Sequence, residues 1–179
     1  QGGVPLVLML LLAGVVLTGA LGRHLIFPGN PNVLPAAGPV DAVATVIEYT
    51  ADDGVVLRGL FLRSDAPGPR PALVYFHGNR SFAGSNENFA RALAARGVDV
   101  LLAEYRGYAG CPGSPSEAGL LLDGRAAVRE LCARTGVAPR DLVIFGHSLG
   151  TGVASAMAAE GVGRSVVLLS PYTAMIDLV

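Results

Sequence analysis

The sequence predicts an α/β fold, with an antiparallel hairpin leading into a doubly wound, mostly parallel sheet that is truncated after its sixth strand. Three observations carry this. Four short apolar runs, Ala72–Phe76, Val98–Ala103, Leu142–Phe145 and Val166–Leu169, recur along the chain, unbroken in the manner of strands buried on both faces. Segments of helical spacing separate them, which implies right-handed βαβ crossovers and a parallel sheet. Ahead of them, two strand-like runs, Thr45–Thr50 and Val55–Arg63, flank the turn signal Asp52-Asp53-Gly54.

Composition bounds the rest. The chain has 179 residues, 51% hydrophobic and 15% charged, enough for one domain with a sizeable core and too apolar for disorder. Thirteen basic residues face fourteen acidic ones, so no basic stripe is available for a nucleic-acid backbone and that partner is excluded. Cys111 and Cys132 make neither a disulfide framework nor a metal site, and His24, His77 and His147 are scattered. No metal is expected. The two cysteines read as small apolar residues, with a bond between them open in an oxidising compartment.

Taken in order, Val4–Leu21 is an uncharged apolar run, close to the roughly 20 residues that cross a bilayer as a helix and longer than the apolar core of most signal peptides. Residues 1–23 are therefore expected to be a transmembrane anchor or a signal segment, sending the protein to a membrane or to export. Residues 24–43 read as a linker, because Pro28, Pro31, Pro35 and Pro39 crowd it. Residues 44–179 form the α/β domain. Within it, Phe89, Leu93 and Ala94 give Asn86–Arg96 helical spacing, and further helices are expected over Glu117–Arg134 and Leu149–Glu160. Val166–Leu169 reads as an interior strand.

Ligands in such sheets sit at the carboxyl ends of the strands, and the chemistry-bearing residues lie there. Gly146-His147-Ser148-Leu149-Gly150 has the pattern of a nucleophile elbow, a sharp strand-to-helix turn that exposes a serine hydroxyl. Its glycines are needed because a side chain at 146 or 150 would collide with the neighbouring strand or helix. The helix start at Leu149 adds N–H groups and a positive dipole end. An acyl-transfer serine also needs a second amide to hold the oxyanion. After the first parallel run stand His77-Gly78-Asn79, where Gly78 permits close approach and the Asn79 N–H can aim at the same point as that of Leu149. The plainer readings are a helix cap for Ser148 and a turn residue for Asn79.

The motifs FHGN at Phe76–Asn79, EYRGYAGCPGSPSEAGLLLD at Glu104–Asp123, GHSLGTGVA at Gly146–Ala154 and LLSPYTAMID at Leu168–Asp177 resemble the α/β-hydrolase superfamily, and more narrowly its membrane-anchored ABHD-type serine hydrolases. The resemblance implies an α/β-hydrolase fold, with Ser148 as acyl-accepting nucleophile and Asn79 and Leu149 as oxyanion donors. His77, Tyr105, Tyr108 and His147 are pocket candidates, while Arg106 is expected to brace its loop by ion pairs. No cofactor is implied, since acyl transfer uses side chains and backbone alone.

A serine needs a base, and in this fold the order is Ser, then Asp or Glu, then His. No histidine follows Ser148, and the acids after it are Glu160 and Asp177, neither well placed. The chain is therefore expected to be an inactive fragment, and the whole protein a membrane-tethered serine hydrolase of esters or thioesters. The alternatives are a serine peptidase on short peptides, and a non-catalytic binding module that keeps the fold without the triad. Epoxide hydrolysis and dehalogenation are disfavoured because they need Asp at position 148. A small-molecule or acyl substrate is expected.

Overall fold

A computed structural model describes residue 27 and residues 30–172. Its strands are β1 (Gly38–Pro39), β2 (Ala44–Thr50), β3 (Val56–Leu62), β4 (Ala72–Phe76), β5 (Asp99–Ala103), β6 (Val143–His147) and β7 (Ser165–Leu169), and its helices are α1 (Glu87–Ala94), α2 (Glu117–Thr135) and α3 (Leu149–Ala159). The strands form one sheet in the order β1-β2-β3-β5-β4-β6-β7. Pairing is antiparallel from β1 through β5 and parallel across β5, β4, β6 and β7. Every strand and helix expected within the α/β domain is present, its ends within a residue or two of those predicted.

Alternation along the central strands splits the core in two. Val74, Phe76, Leu101 and Ala103 face α2 and α3, meeting Leu120, Leu131, Val153 and Met157. Leu73, Tyr75, Val100 and Leu102 face α1, meeting Ala90 and Ala94. Both faces of β4 and β5 are thus covered, the condition under which a parallel strand reads as a continuous apolar run.

Local chemistry closes the elements. In the hairpin turn, Gly54 at φ +84° donates to the Ala51 carbonyl, in a conformation glycine tolerates best. The Ser116 hydroxyl caps α2 by accepting from the Gly119 N–H at 3.1 Å, and Gly136 ends it at φ 74° with its N–H on the Cys132 carbonyl.

One finding differs from expectation. Part of the stretch read as a linker joins the fold: Gly38–Pro39 pairs with β2, and Leu34 is buried in the α1-side core. Proline is compatible with an edge strand, where no ladder donor is needed. The Asp41 carboxylate makes the turn by accepting the N–H groups of Val43 and Ala44, which pull its pKa down to about 2. At the other edge of the sheet, among the described residues, lies β7. It has β6 on one side only, and Val166, Val167, Leu168 and Leu169 are between 39% and 49% exposed. No helix among the described residues is long and apolar enough to cross a membrane; the apolar run 4–21 lies outside them.

Among the polar links that tie the β2–β3 hairpin to the rest are those to Glu104 and Arg106, just after β5. Tyr49 crosses β3 at Gly59, where a Cβ would come within 3.2 Å of its ring, and reaches the end of β5. There its hydroxyl donates to the Glu104 carbonyl at 3.2 Å and accepts the Glu104 N–H at 3.1 Å. Arg106, nearly buried, forks onto Asp123 of α2 and reaches Asp53 in the hairpin turn. Asp123 also accepts the Arg106 backbone N–H at 2.9 Å. The loop-bracing role expected for Arg106 is what these contacts describe. Nearby, Cys111 and Cys132 are both free thiols, and burial pushes the Cys111 thiol up to about 11.

Removing one partner of a buried pair leaves an uncompensated charge, which costs about 3–5 kcal/mol. Asp123→Ala is expected to fall at the low end of that range, because Asp53 still faces the guanidinium. Urea unfolding with an unchanged m-value checks it; a loss below about 1 kcal/mol would refute the brace.

Candidate active site

The turn from β6 into α3 is made by Ser148 at φ 48° and ψ −115°, a conformation that costs a non-glycine residue on the order of 1–3 kcal/mol. Three contacts hold it there. The Ser148 N–H donates to the Leu169 carbonyl at 2.9 Å. The Ser148 carbonyl accepts the Thr151 N–H at 2.8 Å and the Thr151 hydroxyl at 2.6 Å. The Ser148 hydroxyl makes no capping bond to the helix it precedes, so the helix-cap reading does not describe it.

The flanking glycines are required for space. A Cβ on Gly150 would lie 2.1 Å from the Phe76 carbonyl oxygen and 2.9 Å from that of His77. A Cβ on Gly146 would lie 2.6 Å from the Gly150 carbonyl oxygen and 2.8 Å from Ala154 Cβ. The first turn of α3 is thereby pressed against the end of β4. Leu149 is buried as the first residue of α3, so its N–H belongs to the first turn, which has no intrahelical acceptor.

The loop after β4 closes over the same corner. A Cβ on Gly78 would sit 3.2 Å from Ser148 Cβ and 3.4 Å from His147 Nδ1, so this loop runs directly beside the elbow. Asn79 is half-buried, and its side-chain oxygen accepts the Tyr108 hydroxyl at 2.8 Å. The fold thus brings together Ser148, Leu149, Gly78, Asn79 and His147, from the carboxyl ends of the adjacent strands β4 and β6.

Three expected pocket residues sit elsewhere. His77, Tyr105 and Tyr108 are fully buried, with ring centroids 4.4–5.8 Å apart. Tyr105 donates its hydroxyl to the His77 carbonyl at 3.1 Å. These side chains stand behind the loop and support it, with no surface left to face a substrate; burial pushes the Tyr105 hydroxyl pKa well up. His77 Nδ1 contacts the Gly78 carbonyl at 2.8 Å, and Nε2 contacts Glu104 Oε1 at 2.5 Å. The residue that sequence reasoning passed over is Glu104. A carboxylate ending a fully buried strand must have partners, and that position was the available signal.

A family model described as serine aminopeptidase, S33, matches residues 67–178. An uncharacterized Mycobacterium tuberculosis protein is 37% identical over 150 residues, covering 80% of this chain and 53% of its own length. Protein bem46 of Schizosaccharomyces pombe is 35% identical over 74% of this chain and 46% of itself. The alpha/beta hydrolase domain-containing protein WAV2 of Arabidopsis thaliana is 25% identical over 94% of this chain and 58% of itself. The chain spans about half the length of the curated relatives it matches. Among solved structures, the Pyrococcus furiosus esterase Pf2001 superposes with a TM-score of 0.62 at 21% identity, over 80% of this chain and 55% of that one. The carboxylesterase EstE1 superposes at 0.61 and 20% identity, over 75% and 48%. These likenesses establish the α/β-hydrolase fold.

The contact between α3 and β4 has a measurable consequence. At Gly150 a new Cβ meets backbone carbonyls, whereas at Gly152 it meets the hydroxyl end of the Tyr172 side chain, which can swing away. Gly150→Ala is expected to lower unfolding free energy by about 3 kcal/mol, the upper end of overpacking, and Gly152→Ala by about 1 kcal/mol or less. Equal losses would contradict the backbone contact.

Proposed function

Because the chain belongs to the serine aminopeptidase S33 family of α/β-hydrolases, we propose that it carries the nucleophilic half of a serine hydrolase, cleaving an ester or thioester through an acyl-enzyme on Ser148. The observation that carries this is the elbow itself: a serine at positive φ, its hydroxyl unused by the helix it precedes, beside a loop in which a Cβ on Gly78 would come within 3.2 Å of its own.

Ser148 Oγ attacks the acyl carbonyl and gives its proton to a base. The carbonyl oxygen becomes an oxyanion between the N–H groups of Asn79 and Leu149, where losing one aimed donor typically costs about 2.7–4 kcal/mol. Collapse expels the alcohol or thiol, which takes that proton from the base; water then attacks the acyl-enzyme, gives a proton to the base, and the acid leaves as Ser148 Oγ regains the proton. The base is not His77, which is fully buried with both ring nitrogens engaged. We place the base and its orienting acid in sequence outside this chain. The apolar run 4–21 would anchor the protein to a membrane or direct its export, and no cofactor takes part.

The description of the matched family favours a second reading, removal of amino-terminal residues from short peptides by the same nucleophile. One experiment separates the readings. Full-length protein is treated with a fluorophosphonate probe and assayed on p-nitrophenyl butyrate and on leucine p-nitroanilide. Labelling is expected at Ser148, with ester hydrolysis dominant and Ser148→Ala reducing it at least about 10³-fold. Dominant anilide hydrolysis would select the peptidase. A full-length protein that takes no label would leave a non-catalytic binding module.

A further inference from the structure

We propose that Glu104 and His77 form a buried, net-neutral clamp that closes the loop from residue 77 to residue 83 and aims the Asn79 amide at the acyl oxygen. Both are positioning residues, and the inference rests on the assignment of Ser148 and Asn79 above. One carboxylate holds the loop at both ends. Glu104 Oε1 meets His77 Nε2 at 2.5 Å, and Glu104 Oε2 accepts the Ala83 N–H at 2.9 Å. Oε1 also accepts the Tyr105 N–H at 3.2 Å. Both side chains are wholly buried.

Proton counting fixes the charge of the pair. His77 Nδ1 faces the Gly78 carbonyl, which only accepts, so Nδ1 carries a hydrogen. Nε2 and Oε1 then share a single proton between them. Whichever atom holds it, the pair has no net charge, the condition a fully buried site tolerates.

The rest of the loop is held by neighbours of Glu104. The Tyr105 hydroxyl takes the His77 carbonyl, and the Tyr108 hydroxyl takes the Asn79 side-chain oxygen. From the opposite side, α3 presses the carbonyls of Phe76 and His77 at Gly150. The backbone around Asn79 is therefore gripped between the segment 104–108 and α3. An oxyanion donor displaced by about 1 Å forfeits much of its effect.

The test uses the full-length enzyme with p-nitrophenyl butyrate. Glu104→Gln keeps volume but puts an NH2 group where an oxygen must accept an N–H. Together with His77→Gln it is expected to lower kcat by about 10- to 100-fold while KM moves less than about threefold. The double variant is expected to be no worse than the poorer single one, as for residues acting as a unit. Tyr105→Phe removes one hydroxyl in an otherwise unchanged shape and is expected to lower kcat several-fold in the same way. It decides the matter alone if Glu104→Gln fails to fold. Wild-type kcat in these variants, losses confined to KM, or losses that multiply in the double variant would overturn the clamp. Wild-type protein that takes no fluorophosphonate label at Ser148 would instead overturn the hydrolase reading beneath it.

Discussion

The corner where α3 meets the end of β4 constrains everything near the candidate nucleophile. Helix and strand approach so closely that a single methyl group at Gly150 would stand 2.1 Å from a carbonyl oxygen. That proximity lets the chain leave β6, reverse through one strained residue and enter a helix without a longer loop. The strain at Ser148 is local and unfavourable. It persists because the backbone on either side is committed, to β7 through the Leu169 carbonyl and to α3 through Thr151. A longer connection would relax the serine, and the hydroxyl would lose its fixed position beside the Gly78 loop.

Opposite this corner, buried polar groups do what apolar packing cannot. Dispersion and hydrophobic burial are non-directional, so they hold the β4 loop near the elbow without setting where its amides point. Directional bonds supply that, and no buried side-chain nitrogen or oxygen among the described residues lacks a partner. The two networks differ in kind. Arg106 with Asp123 and Asp53 is an ion-pair cluster whose Asp53 arm is partly exposed, suited to pinning a loop, a hairpin and a helix together. His77 with Glu104 is wholly enclosed and net neutral, suited to a place beside a centre where negative charge would develop. Tyr49 connects the two regions by holding the backbone of Glu104 from the hairpin side.

Membership of the hydrolase family accounts for why these features lie at the carboxyl ends of β4 and β6. Those strand ends are where an open parallel sheet leaves a crevice. The proposed nucleophile and the two amides proposed to receive the oxyanion all follow two adjacent strands. The base and its orienting acid are proposed to come from other strand ends. The exposed apolar residues of β7 border the same end of the sheet, since Leu169 is the acceptor for the Ser148 amide.

Local pattern determined most of the architecture. Apolar runs fixed the central strands because both faces of β4 and β5 are covered, and helical spacing fixed α1, α2 and α3. Gly146, Ser148 and Gly150 announced the elbow because steric exclusion acts between residues close in sequence. Tertiary structure decided the rest. The prolines before residue 40 read as linker, yet two residues there pair with β2, because an edge position asks nothing of a proline nitrogen. Tyr105, Tyr108 and His77 read as pocket residues from their place after strands, yet they are buried supports. Which way a side chain turns at a strand end depends on partners supplied by other segments. Glu104 escaped notice for the same reason: its partners lie at residues 49, 77 and 83, and hydrogen bonds between distant segments leave no periodic trace in the chain.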